Sequence, residues 1–352
     1  MTALHVIVPD GIDDPARPSG GNVYDLQICS ALAEMGWPVQ VHAVPGSWPQ
    51  PDAAAYEGLG RVVQQIPDGA VALVDGLVGS TAPDVLVPHS TRLRMVALVH
   101  MPLGQSPDSN GARTREGAVL SAATAVVTTS AWGRRTVLDL YSLPEDRVHV
   151  AEPGVDAAPL AAGTATAGTL LCVASVVPEK GHDVLLDALS TMTDLSWSCL
   201  CVGSTSRDPD WAESLQRQVL AEGLEARVRF TGPRTGAKLD ETYASTDLLV
   251  LPSRVETYGM VVTEALARGL PVVAAGTGGV EEALGYDTGG NRPGLLVAPE
   301  DVAALTRALR AWLCQADVRR AWRRSARERR AYLPRWSATT STLARVLAEA
   351  AR

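Results

Sequence analysis

Twelve short apolar runs, each closed by a turn and followed by a stretch of helical periodicity, constrain this chain more than any other feature. In the first half they read LHVIVP, PVQVHAV, VALVDG, MVALVH, AVVTTS and VHVAEPG; in the second, LLCVASV, SWSCLCVG, VRFTG, LLVLPS, PVVAAG and GLLVAP. Runs that do not alternate polar with apolar residues describe strands buried on both faces, as in a parallel sheet covered by helices on either side. The pattern predicts two doubly wound α/β units in tandem, and 352 residues suit two domains of ordinary size with a cleft between them. Residues 157–168, AAPLAAGTATAG, are small, uncharged and aperiodic, as a linker is. In the tail, RWSATTSTLARVLAEAAR, Leu343, Val346 and Leu347 share a face, so an amphipathic helix closes the chain. The expected organisation is 1–160, 161–332 and a closing helix over 333–352.

Charge removes several classes of partner. Residues 1–160 hold 17 acidic side chains against nine arginines and no lysine, which accounts for the whole net charge of −8. Such a half repels nucleic acid and anionic membrane surfaces. No apolar run approaches the roughly 18 residues that span a bilayer. The opening MTALHVIVPDG lacks the basic start and apolar length of a signal peptide, so the cytoplasm is the expected location. The five cysteines are scattered through mostly apolar surroundings, which points to reduced, buried thiols. Cys199 and Cys201 form only C-x-C, with no second pair to complete a zinc site. Lysine occurs only as Lys180 and Lys238, and the bias towards arginine, alanine and glycine resembles the composition of a GC-rich, actinobacterial-like genome.

In open parallel sheets ligands sit beyond the carboxyl ends of the strands. The turn after LLVLPS carries the densest chemistry: SRVETYGMVVTEALARGLPVVAAGTGG, residues 253–279. A helix starting at Gly259 runs to about Arg268, so Glu264 stands about 7.5 Å up its axis, while Glu256 lies in the loop before it. Between the two acids point the amides of Gly259, Met260 and Val261, which attract negative charge. Carboxylates accept from hydroxyl groups and amides suit phosphate oxygens, so the expected ligand is part polyol and part phosphate. The plainer alternative pairs Glu264 with Arg268 on a solvated face. A second glycine turn, Gly276, Gly278 and Gly279, follows at once and is expected to let backbone approach a diphosphate; Glu281 at its sixth position excludes the G-x-G-x-x-G dinucleotide fingerprint.

These residues resemble the E-x7-E signature of retaining glycosyltransferases of family 4, with Glu256 and Glu264 as the two acids. The likeness runs in order along most of the chain: PSGGNVYDLQICSALAEMG, TTSAWGRR, EPGVD, VASVVPEKGHDVLLDAL and STDLLVLPS are similar to successive family segments. The resemblance implies a GT-B fold whose second domain binds a nucleotide sugar, a UDP- or GDP-sugar, and whose first binds a small-molecule acceptor. It further implies a closing helix that crosses back to the first domain, transfer with retention, and no divalent metal or other cofactor. Glu264 is then expected at the ribose hydroxyls and Glu256 at the sugar, within a donor-binding set that includes Arg254, Tyr258, Gly259, Met260 and Val261. Lys180 and the amides near Gly20 and Gly21 are expected at the diphosphate, where a fixed cation and oriented amides stabilise developing charge. His100, which ends MVALVH, is expected beside the reacting sugar, so His100, Glu256 and Lys180 form the catalytic set. Asn22 and Asp25 are read as helix caps.

One departure stands out: Ser175 occupies the place of an arginine common in the family, with Arg254 and then Arg234 as expected substitutes. The acidic first half lacks a basic amphipathic surface for lipid acceptors, which favours a soluble acceptor, neutral or cationic. Two other readings share the fold: a non-hydrolysing nucleotide-sugar epimerase, and a non-catalytic nucleotide-sugar-binding protein.

Overall fold

The computed structural model describes residues 3–105 and 110–352. It divides into two compact units: unit 1 takes the residues up to Asp13, Gly21–Gly154 and Pro334–Arg352, and unit 2 takes Asp14–Gly20 and Val155–Leu333. All twelve apolar runs form strands. Unit 1 contains β1 (Leu4–Pro9), β2 (Val39–Val44), β3 (Val71–Asp75), β4 (Arg94–Val99), β5 (Ala125–Thr128) and β6 (Val148–Val150), ordered β2-β1-β3-β4-β5-β6. Unit 2 contains β7 (Thr169–Val173), β8 (Ser198–Val202), β9 (Val228–Phe230), β10 (Leu248–Leu251), β11 (Val272–Ala275) and β12 (Gly294–Val297), ordered β12-β11-β10-β7-β8-β9. Neighbours pair in parallel throughout both sheets.

Interior strands such as β3 and β10 are buried at every position, as unbroken apolar runs require. Edge strands are the exceptions. PVQVHAV, expected to be covered like the rest, becomes β2 at the edge of its sheet and leaves Gln40, Val41 and Ala43 exposed, and the edge strands β9 and β12 leave Arg229 and Leu295 exposed.

The strand orders fix where a ligand can sit. Successive connections run from β1 to β2 in one direction and from β3 to β4 in the other; in unit 2 the opposed pair is β7 to β8 and β10 to β11. Right-handed crossovers then send the chain to opposite faces of the sheet at the neighbours β1/β3 and β10/β7. Each such reversal leaves a crevice at the carboxyl ends of its two strands.

The final helix, Trp336–Ala350, belongs to unit 1 and buries Leu343, Val346 and Leu347, the face read from its periodicity. Thr339 Oγ1 donates to the Glu152 carbonyl at 2.6 Å, and Trp336 meets Tyr24 edge-on with ring centres 5.7 Å apart. Cys172, Cys199 and Cys201 are buried as expected, whereas Cys29 is half-buried and Cys314 is exposed at the end of the helix Val302–Cys314. Among the described residues no helix is long and apolar enough to cross a membrane.

Leu347 is fully buried in the unit 1 core. Leu347→Ala should therefore cost about 2–5 kcal/mol in denaturant unfolding, the usual range for a cavity-forming core substitution. A loss under about 0.5 kcal/mol, the scale of an ordinary surface change, would remove the final helix from the core of that unit.

Candidate functional site

In unit 2 two loops meet at the β10/β7 reversal. The turn Pro178–Lys180 follows β7, and residues 252–259 follow β10. Lys180 Nζ lies 2.6 Å from Glu256 Oε1 and 3.4 Å from the Val255 carbonyl, and Ser253 Oγ donates to the same carboxylate oxygen at 3.1 Å. The backbones are also laced together, since the Arg254 amide donates to the Glu179 carbonyl at 2.8 Å. The structure thus brings Lys180 and Glu256 into one half-buried ion pair.

The helix after this loop spans Met260–Ala267, with Gly259 as its N-cap at φ 89° and ψ 62°, a left-handed conformation that favours glycine. Gly259 is thus the cap, not the first helical residue, and the Val262 amide is taken by the Gly259 carbonyl at 2.9 Å. Met260 and Val261 then carry the amides that the helix itself does not use. One turn on, Glu264 accepts a hydrogen bond from the Tyr243 hydroxyl at 2.8 Å. Burial pushes the Glu264 carboxyl upward against the opposing pull of the Tyr243 bond and Arg268, with Asp240 and Asp156 adding to the rise. The solvated Glu264–Arg268 pair is not formed. Arg268 donates instead to the backbone carbonyl of Glu264 at 2.9 Å, ion-pairs with Asp240, and lies 4.5 Å over the Tyr243 ring.

The second glycine turn has a different task from the one expected. Gly278 sits at φ 58°, where a Cβ would come within 1.5 Å of the Glu256 carbonyl oxygen, and the Gly279 amide donates to that oxygen at 3.2 Å. The Gly276 amide donates to the Val297 carbonyl at 2.8 Å, and Thr277 Oγ1 to the Arg254 carbonyl at 3.0 Å. These groups hold the Glu256 loop from behind, so the amides of Gly276 and Gly279 are already engaged.

Arg254, the first expected substitute at Ser175, is also committed. Its two Nη atoms bind the Asp183 carboxylate at 2.9 and 2.7 Å, Nη1 also reaches the Pro178 carbonyl, and Nε reaches Glu300 at 2.9 Å. Burial raises the Asp183 carboxyl, but the Arg254 bonds outweigh it and hold the group below its ordinary range. A phosphate would have to displace carboxylates to engage this guanidinium, so Arg254 serves here as a brace between loops. Arg234 gives Nη1 to Thr242 Oγ1 at 2.6 Å.

Unit 1 carries a second cluster at its own reversal. Asp75 ends β3, His100 follows β4, and Asp25 lies in the helix Gly20–Glu34 after β1. His100 Nε2 is 2.9 Å from Asp25 Oδ1 and 3.4 Å from Asp75 Oδ2, with side-chain exposures of 14% for the histidine against 2% and 3% for the acids. Asp75 Oδ1 accepts from the Leu77 amide at 2.7 Å. Tyr24 stands edge-on to the imidazole at 5.1 Å, and a Cβ on Gly21 would lie 3.4 Å from the ring. Gly20 and Gly21 begin the helix and are not a loop before it.

Burial lowers His100, but the charge of Asp25, the hydrogen bond to it and the charge of Asp75 together raise it above its ordinary range. For Asp75, burial and then the Asp25 charge outweigh His100 and the Leu77 and Val78 amides, and the carboxyl is pushed up to about 7. Among the described residues these form the one group of three His, Cys, Asp or Glu side chains whose ligand atoms all lie within 4.8 Å of one another. Asp25 is therefore no cap: it lies inside the helix on the face that buries Tyr24, Ile28 and Leu32. That acid within an apolar stripe was a signal available in the sequence, as was the acid closing VALVD. Nothing in the sequence pointed to Tyr243.

Family models of glycosyltransferases match both units. The family description "Glycosyl transferases group 1" matches residues 164–329, and "Glycosyltransferase Family 4" matches residues 18–158. A D-inositol 3-phosphate glycosyltransferase from Jonesia denitrificans is 25% identical over 370 residues, covering 88% of this chain and 86% of the relative. Among solved structures, a sucrose-phosphate synthase from Thermosynechococcus elongatus superposes with a TM-score of 0.79 at 20% identity, covering 99% of each chain. Anabaena HepE in complex with UDP-glucose does so with a TM-score of 0.78 at 19% identity, covering 99% of this chain and all of the other.

Two outcomes follow. Gly278→Ala places a methyl group against the Glu256 carbonyl in a left-handed conformation, so it should lower stability by about 1–3 kcal/mol and weaken nucleotide binding, both read by thermal shift. Full retention of both would detach the glycine turn from the Glu256 loop. Asp75 is raised when folded, so its contribution is present at low pH and lost as pH rises through about 7. The stability of Asp75→Asn relative to the parent should improve as pH rises from about 4 to about 7 and level off above that in denaturant titrations, and a constant difference across that range would mean that the folded carboxyl is not raised.

Proposed function

Because the chain belongs to glycosyltransferase family 4, with the two-unit GT-B fold and a nucleotide sugar as donor, we propose that it moves a hexose-type sugar to a small-molecule acceptor with retention of anomeric configuration. The observation that carries the reading is the grouping of Lys180, Glu256 and Glu264 at the β10/β7 reversal. Glu264, oriented by Tyr243, accepts from the ribose hydroxyls. Glu256 accepts from the sugar. Lys180 exchanges part of its contact with Glu256 for the diphosphate, and the Met260 and Val261 amides face the same charge. Nucleotide sugars of UDP or GDP fit this division of labour, with neither metal nor further cofactor required.

In the reaction the bond from the anomeric carbon to the acceptor oxygen forms as the bond to the phosphate oxygen breaks. The acceptor proton passes to that leaving oxygen on the same face of the sugar. His100 orients the acceptor. The relatives' printed name includes a phosphorylated acceptor, and phosphate calls for cations or bare amides. The acidic balance of residues 1–160, 17 acids against nine arginines, supports instead an unphosphorylated acceptor, neutral or cationic.

Incubation with UDP- and GDP-sugars plus a panel of neutral, amino and phosphorylated alcohols tests the reading. Transfer or slow donor hydrolysis supports it, whereas isomerised sugar or binding without turnover sinks it. Glu264→Gln keeps the volume and an acceptor for Tyr243 but removes the charge. It should weaken nucleoside diphosphate binding roughly 10- to 100-fold by calorimetry, the worth of a hydrogen bond to a charged group. Unchanged affinity would take the ribose away from this residue.

A further inference from the structure

We propose that Asp25 and Asp75 are positioning residues that hold His100 as an imidazolium with Nε2 turned inward, so that His100 acts in transfer as a cationic hydrogen-bond donor through its outer edge and not as a base. The catalytic part of this inference rests on the reading of the chain as a glycosyltransferase. The geometry gives the ring little choice. Nε2 faces Asp25 Oδ1 at 2.9 Å and Asp75 Oδ2 at 3.4 Å, and the shorter contact, to the Asp25 carboxylate, makes that nitrogen the donor. Tyr24 closes one side, and its hydroxyl proton goes to the Ala151 carbonyl at 3.0 Å, so it has none to donate to the imidazole. Gly21 leaves the other side open for the ring to lie flat against the helix.

Both acids are nearly inaccessible while part of the histidine remains exposed, so a ligand meets His100 and not the carboxylates behind it. The titratable groups facing the ring are Tyr24 and Asp25 from the helix Gly20–Glu34 and Asp75 from the end of β3. Two acids opposite one imidazole favour the charged ring over the neutral one, and the direction of the His100 shift agrees. An imidazolium has no lone pair to take the acceptor proton. Its second N–H, on Nδ1, can donate to a sugar hydroxyl or to the phosphate oxygen on which charge develops. Asp25 makes the shorter contact and therefore contributes the larger share.

The test is nitrogen-15 NMR of the histidine rings in the full-length parent, Asp25→Asn and Asp75→Asn, with His100→Gln to identify the resonance, alongside kcat against pH. In the parent, His100 should stay protonated beyond the ordinary histidine midpoint of about 6.5. Asp25→Asn should lower that midpoint by about one pH unit or more, a tenfold loss in proton affinity, and Asp75→Asn by less; the alkaline limb of kcat should move with it. A His100 that titrates at or below the ordinary midpoint, or at the same pH in both variants, overturns the pairing. A midpoint that shifts while the kcat profile stays fixed overturns the donor role. The NMR titration needs no substrate, so a chain that turns over no nucleotide sugar fails the functional reading separately while the ring's state is still decided.

Discussion

The contact between Lys180 and Glu256 joins residues 76 positions apart, and it exists because β7 and β10 are neighbours although three connections separate them in the chain. A parallel sheet that grows first to one side of β7 and then to the other must place those two strands together and send their following chains apart. The crevice left at their ends is a product of chain direction alone. Filling it with a cation from one loop and a carboxylate from the other makes the crevice chemical. The same construction recurs in unit 1, where the ends of β3 and β4 and the helix after β1 bring Asp75, His100 and Asp25 together.

An ion pair that is half out of water has little reason to hold one geometry unless its backbones are fixed. Here they are fixed from both sides. The Glu179 carbonyl takes the Arg254 amide, Arg254 bridges Asp183 and Glu300, and the turn at Gly278 presses on the Glu256 carbonyl from behind. Arg254 and the glycine turn thus position the Lys180–Glu256 pair. Preorganisation of this kind reduces the ordering that a ligand must impose when it arrives.

The sequence was most informative wherever a local rule governs. Unbroken apolar runs gave all twelve strands, helical spacing gave the buried face of Trp336–Ala350, and the distance from Glu256 to Glu264 gave the site in unit 2. PVQVHAV was misread because edge position depends on strand order, which no single run contains. The partners of Arg254, the Tyr243 hydroxyl on Glu264, and the Glu256 carbonyl behind Gly278 are contacts across 71, 21 and 22 positions, set by packing and not by spacing. Asp25 was legible in part, as an acid on an apolar stripe, yet its partner is 75 residues away and a cap was the simpler local reading.

The two reversals differ in the counter-charge that each carboxylate meets. In unit 2 it is Lys180, a compact ammonium on a flexible stem that Glu256 holds at 2.6 Å. In unit 1 it is a histidine, whose charged form two buried acids favour. That arrangement carries an internal cost, since Asp75 is itself raised by burial and by Asp25, and a third charge would have no partner. A permanent cation suits a ligand whose phosphates are always charged; a conditional one suits a step in which charge appears only as a bond breaks. The division of chemistry between the units follows from which basic residue each reversal was given.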